Sequence, residues 1–465
     1  MKNDKSFKYL KTILARTFLL SLALSLSLSL SSCGSTGNVE AAKAAPVEDF
    51  TIKHLSNEIP VVFKQNRGSK IVVFRLVFEG GTSALDSSMS GLEDLTLNLA
   101  LRASDMYSYE DIQHREYEKS FSLSSSSGKD YSTAGFICIQ RDLSEVFNIF
   151  SSCMLNPLFS EEDYSRRMNE IADEISRKNA DPSGTLGLAI TKNVFKDHPY
   201  GTAGSVTEDS YKNLTLNLVK GLHTSLMNAL RIKIVVVGNF SAPLIDDFTE
   251  KLEHKFGGIP RKAFSLPRIA KISVNNEAIR IANEQAGETG YVAGMYSCPS
   301  RDSDEYIPYA IASMFIDDLL YAQVREQAGA VYSINTGVLG GKEFVGVISA
   351  YRVSGREQFK KLILNAISSF DEEAVEKKLD QYKNKYISSI FNSSQTASGV
   401  AANVITSMEY YGSEQAYLHR SEAIRAVQPA QVINAYKKYF EPVAKENAAL
   451  WIIVDREENL SEYDF

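Results

Sequence analysis

The chain has 465 residues, 50 Lys and Arg against 57 Asp and Glu, a net charge of −7, and 44% hydrophobic residues. This balance is that of a globular protein, and it excludes both wholesale disorder and a basic nucleic-acid binder. Four cysteines in this length cannot build a disulfide framework. The six histidines are His54, His114, His198, His223, His254 and His419, and the nearest two, His198 and His223, stand 25 positions apart. No helix can present two of them, which excludes a zinc site of the H-E-x-x-H or H-x-x-E-H kind within this chain.

The N-terminus reads as an address. Lys2, Lys5, Lys8, Lys11 and Arg16 precede an uncharged Leu/Ser/Ala run over 18–30, which ends at Leu30-Ser31-Ser32-Cys33-Gly34. A basic start, a short apolar run and small residues at the break predict a secretory signal peptide over 1–32. The run is too short to span a bilayer comfortably. A Cys after Leu-Ser-Ser resembles the lipobox of bacterial lipoproteins. The resemblance implies lipid on Cys33, a membrane anchor through it, and a mature protein in the bacterial cell envelope facing the periplasm or exterior. Residues 33–48 are small and polar and read as a flexible tether.

Beyond the tether, strands alternate with helices. Residues 61–63 and 71–78 read as adjacent strands, with a turn at Asn66-Arg67-Gly68 between them. Leu92, Leu95 and Leu99 predict a helix over 91–102. Phe136 to Ile139 reads as an apolar strand, which makes Cys138 a buried free thiol in preference to a partner for Cys153. Ser160 and Asp163 form a cap-like start to a helix that runs to about 178 and is stopped by Asp181-Pro182.

The pattern then repeats. Residues 231–238 (RIKIVVVG) and 448–455 (AALWIIVD) each follow a helical segment, over 214–229 and 429–440 respectively. Aligning Val237 with Val454 gives an offset of 217, which also brings the strand at 71–80 close to 290–298. Two copies of one α+β unit are expected, each a mainly antiparallel sheet packed with helices. Their limits are 49–260 and 276–460, with a linker over 261–275 and a tail over 461–465.

Two motifs name a family. His198-Pro199-Tyr200-Gly201 stands in the first half, and Arg325-Glu326-Gln327-Ala328-Gly329-Ala330-Val331-Tyr332-Ser333 in the second. In this order they resemble the insulinase/pitrilysin family of zinc peptidases, in the short two-domain form of bacterial homologues and mitochondrial processing peptidase subunits. The resemblance covers roughly residues 49 to 460. It implies a helix carrying H-x-x-E-H, whose histidines bind zinc and whose Glu activates a zinc-bound water, with a third ligand Glu on a later helix. Here the matching helix places Asp94 and Asn98 at the histidine positions and Leu97 at the general base, and the third ligand falls on Glu174. A second register, with Glu93 as base and Ser90 and Asp94 as ligands, also lacks histidine.

Asp, Asn and Glu oxygens form a harder and weaker zinc set than imidazole, and an alkyl chain takes no proton from water. No cofactor is therefore expected. Glu174 lies on an acidic helix (Glu161, Glu162, Asp163, Glu170, Asp173) that reads as a solvated face in preference to a metal ligand set, and His198 reads as a hydrogen-bonded turn residue. The second-half motif is intact. The resemblance gives Arg325 and Tyr332 the task of holding a substrate backbone and polarising its carbonyl. The expected function is an inactive, peptide-binding subunit that pairs with a zinc-bearing homologue and takes unstructured peptides. The rival readings are a lipid-anchored peptide- or protein-binding module and an active metalloendopeptidase with a rearranged metal site.

Overall fold

A computed structural model describes residues 48–465. The predicted signal peptide, Cys33 and the tether up to residue 47 lie outside the described residues. The expected α+β architecture is present as two sheets, each packed with helices.

The first sheet holds β1 (Phe50–His54), β2 (Pro60–Gln65), β3 (Ile71–Glu79), β4 (Ser122–Ser127), β5 (Tyr131–Ile139) and β6 (Ile232–Gly238), in the order β1-β2-β6-β3-β5-β4. The second holds β7 (Glu277–Ala282), β8 (Gly290–Tyr296), β9 (Val331–Gly340), β10 (Phe344–Val353) and β11 (Leu450–Asp455), in the order β7-β11-β8-β10-β9. The two apolar strands β6 and β11 are buried along almost their whole length, which continuous apolar runs require of a strand covered on both faces.

This corrects one expectation. β2 and β3 are not neighbours, because β6 lies between them, parallel to β2 and antiparallel to β3. The Asn66–Gly68 turn is therefore no hairpin, and burial of β6 on both faces outweighs the short connection. The repeat holds down to single residue pairs. Val61 pairs with Ile234 and Ala278 with Trp451, and both partners stand 217 positions further on. Between β3 and β8 the offset slips by one, since Val73 pairs with Val237 but Tyr291 with Val454.

Each sheet is covered on both faces, and the covers are exchanged. Side chains alternate along a strand, so Phe63, Phe74, Leu76 and Val236 face helices of their own half. On the other face, Val62, Val73, Val235 and Val237 meet Val400, Val404 and Ile405 of a helix from the second half, Ala397–Tyr411. Reciprocally, Ala293, Met295, Val347 and Ile452 of the second sheet meet Leu186, Ala189 and Val194 of a first-half helix, Pro182–Val194. Residues 261–275 carry no helix or strand. They are nevertheless packed, with Ile272 buried against the second sheet beside Ile269 and Val274. Cys138 and Cys153 are both free and buried, and burial pushes each thiol up to about 12.

Candidate functional site

The helix that matches the catalytic one runs Leu92–Ala100. It is entered through Gly91 at φ 79°, where a Cβ would come within 2.2 Å of the Val206 backbone nitrogen. Gly91 N–H donates to the Ala203 carbonyl at 3.1 Å, so the loop that follows His198-Pro199-Tyr200-Gly201 fixes where this helix begins.

The side chains at the motif positions go to different places. Leu97, at the general-base position, is fully buried in the first-half core. Asp94 is half-buried and Asn98 is exposed. In the second register, Glu93 is buried with Oε1 unpartnered, and burial raises its carboxyl to about 7 against the pull of Ser132 and the Arg231 guanidinium. Ser90 Oγ donates to the Ser87 carbonyl at 2.7 Å and accepts from Ala203 N–H at 3.0 Å, so it is committed to the loop and not to a metal.

Glu174 lies on the long helix Glu161–Ala180, capped by Ser160 Oγ, which accepts from Asp163 N–H. The helix runs two residues past its expected end, and Asp181-Pro182 then opens the next one. Glu174 is held by a residue the sequence reading missed. Arg167 binds it through two contacts, Nη1–Oε1 at 2.8 Å and Nη2–Oε2 at 3.4 Å, and also reaches Glu170 at 3.2 Å. The Arg167 side chain is 14% exposed. Burial, helped by Glu174, raises the Asp94 carboxyl above the usual carboxylate range against the pull of the Arg167 guanidinium. Glu170 in turn faces Arg102, which pairs with Asp163 at 3.1 Å. Acids and guanidiniums thus alternate across the floor of a cleft of about 370 Å³ that Asn98, Arg102, Arg167 and Glu170 help to line. The spacing Arg167, Glu170, Glu174 places all three on one helix face and was readable as such.

Two carboxylates facing a guanidinium, an exposed amide and a buried alkyl chain do not fit a zinc ion with its activated water. Among the described residues, no group of three or more His, Cys, Asp or Glu side chains is placed to hold a metal ion.

His198 is a turn residue. Its Nδ1 accepts from Tyr200 N–H at 3.1 Å, so Nε2 carries the proton and donates to the Ala270 carbonyl at 2.9 Å. Tyr200 is buried and donates to Asp130 at 2.5 Å, while Asp130 also accepts from Lys342 N–H and Tyr410 Oη of the second half. The motif is a joint between the halves and its connector.

Arg325 and Tyr332 sit together on the second half. Arg325 lies in a wide helical turn, Tyr321–Gln327, that Gly329 (φ 61°) turns back into β9. Its guanidinium stacks at 4.8 Å over Tyr321 and 5.9 Å over Tyr332, and Arg352 stacks at 5.4 Å on Tyr332. Tyr332 is 65% exposed. These partners all belong to the second half, so the structure groups Arg325 with Tyr332 but joins neither to Asp94, Asn98 or Glu174.

Two family models match the chain in tandem: Insulinase (Peptidase family M16) over residues 60–207, and Peptidase M16 inactive domain over residues 213–386. The chain belongs to the insulinase (M16) family. The uncharacterized zinc protease ML0855 of Mycobacterium leprae is 21% identical over 203 residues, 42% of this chain and 45% of that protein, so the match spans less than half of the relative. The crystal structure of a peptidase M16 inactive domain from Pseudomonas fluorescens superposes with a TM-score of 0.75 at 16% identity, covering 88% of this chain and 98% of that one. The periplasmic protease PqqL from Escherichia coli gives a TM-score of 0.71 at 13% identity, covering 96% of this chain but 50% of PqqL. Identities this low speak for the fold.

Proposed function

We propose that this M16 chain does not hydrolyse peptides itself, and that it lends a peptide-binding wall to a zinc-bearing homologue. The observation that supports this most is the Arg167 guanidinium, bound by Glu174 and within electrostatic reach of Asp94, in a site whose general-base position is a core leucine. Losing a general base alone costs about 10²–10⁴ in rate, and losing a metal removes its activated water as well.

The chain's own contribution is Arg325 and Tyr332. The exposed Tyr332 hydroxyl and the Arg325 cation offer donors to an extended peptide backbone and to the negative charge that develops on its carbonyl. PqqL, a chain about twice as long, accommodates this fold over half its length, which suits two such units facing one another. Lipid on Cys33 would tether the assembly in the cell envelope.

The test is to purify the chain alone and with a homologue that carries an intact H-x-x-E-H helix, and to follow cleavage of unstructured peptides. Chelator-sensitive cleavage is expected from the pair, much less from the homologue alone, and none from this chain. Chelator-sensitive cleavage by this chain alone, or stoichiometric zinc in it, would establish an active peptidase with a rearranged site. Peptide binding with no effect on any homologue would leave an anchored binding module.

A further inference from the structure

The second half holds a cleft of about 890 Å³ that neither motif uses. Two half-buried guanidiniums, Arg301 and Arg420, line it and share one aromatic wall. The Tyr306 ring centroid is 5.9 Å from Arg301 Cζ and 5.6 Å from Arg420 Cζ. Arg301 also lies over Tyr410 at 4.8 Å, and its Nε donates to the Gly341 carbonyl at 3.2 Å. Arg420 lies over Tyr411 at 5.9 Å, and its Nη2 donates to Tyr386 Oη at 2.8 Å.

Neither cation has a carboxylate partner among the described residues. Asp302 and Asp304 stand exposed at the rim without pairing to either, and His419 is turned to Glu422. Ring faces soften a cation's charge without neutralising it, and two like charges against one ring in a partly dry cleft repel.

We propose that this cleft binds a carboxylate carried on an aromatic body. A planar carboxylate suits the guanidinium fork. The tyrosine walls stack the ring. The volume is that of an ordinary ligand site, roughly 300–1,000 Å³. The inference stands apart from the proposed function, since it uses none of the residues invoked there.

Titration calorimetry on the full chain tests it, with N-acetyl-phenylalanine against its amide, and with a decapeptide ending in a free Phe carboxylate against the amidated peptide. The free acids should bind at least tenfold tighter than the amides. Binding of the peptide acid marks a chain terminus as the natural source, and binding of the single residue alone marks a small aryl acid. Arg420→Gln should weaken binding at least tenfold. Arg301→Gln should weaken it likewise, with the melting transition of each variant followed alongside. Equal binding of acid and amide, no binding of either acid at millimolar concentration, or undiminished affinity in both folded variants would overturn the proposal.

Discussion

The two halves of this protein share a sheet topology and a residue register, and they differ in what they display on it. In the first half, the positions that would carry the chemistry hold an acid, an amide and an alkyl chain, and the surrounding charges are closed into a chain of ion pairs through Arg102 and Arg167. In the second half, Arg325 is stacked on rings and Tyr332 stands open to solvent. The difference shows which residues a fold constrains. Continuous apolar runs along β6 and β11 fix the sheets, because each faces a packed layer on both sides. Polar side chains at a cleft add little to stability, about 0–1 kcal/mol for an exposed pair, so their chemistry can change while the fold persists.

The largest test concerns what the halves have in common. Val404→Asp places a charge against the first sheet and Leu186→Asp places one against the second. Each should cost about 4 kcal/mol or more, as an unpaired buried charge does. Both should lower the whole molecule's stability in one denaturant transition, and a melt in which only one half is lost would break the equivalence.

Next comes Glu93, a feature of the first half. Burial raises its carboxyl from the ordinary 4.5 to about 7, so the folded state keeps a proton that the unfolded chain has released. Stability from this group is intact below pH 4.5 and falls as pH rises to 7, by on the order of 3 kcal/mol in all. Glu93→Gln should flatten that slope in chemical denaturation across pH 4–8; an unchanged slope would place the carboxyl in solvent.

Arg167→Gln should cost about 1 kcal/mol and leave Asp94, Glu170 and Glu174 without their shared cation. Oxygen donors suit hard cations, so millimolar Mn²⁺ or Ca²⁺ should raise the variant's melting temperature and not the wild type's. Asp94→His, Leu97→Glu and Asn98→His together should fail to bind zinc until Arg167 is also replaced; zinc binding by the triple variant would remove Arg167 from the explanation. The smallest effect belongs to Tyr332→Phe, which should change stability by less than about 0.5 kcal/mol while slowing peptide cleavage by the paired complex.

Much of the fold was legible because it is written in hydrophobic periodicity. The runs at β3, β6, β8 and β11 and the leucines of the Leu92–Ala100 helix announced themselves. β4 did not, since Ser122 to Ser127 is almost entirely serine and is a strand only because β5 pairs with it. The exchange of helices between sheets was also hidden, because it joins residues from about 100 to more than 300 positions apart that no local pattern links. At the site, the missing imidazoles and base were plain from residue identity. The burial of Leu97 and the role of Arg167 were not, although the spacing of Arg167, Glu170 and Glu174 was available. Arg301 and Arg420 lie 119 positions apart, and only tertiary packing brings both to the Tyr306 ring.

The exchanged helices bear on how the chain is made. A ribosome that has delivered β6 has completed the first sheet, yet Val62, Val73, Val235 and Val237 stay uncovered until the helix ending at Tyr411 emerges. Domains ordinarily fold in turn from the N-terminus during synthesis. Here the first half must wait for most of the second, so the nascent polypeptide carries an open valine surface through translation, and a truncated transcript would yield a sticky fragment in place of a smaller working protein.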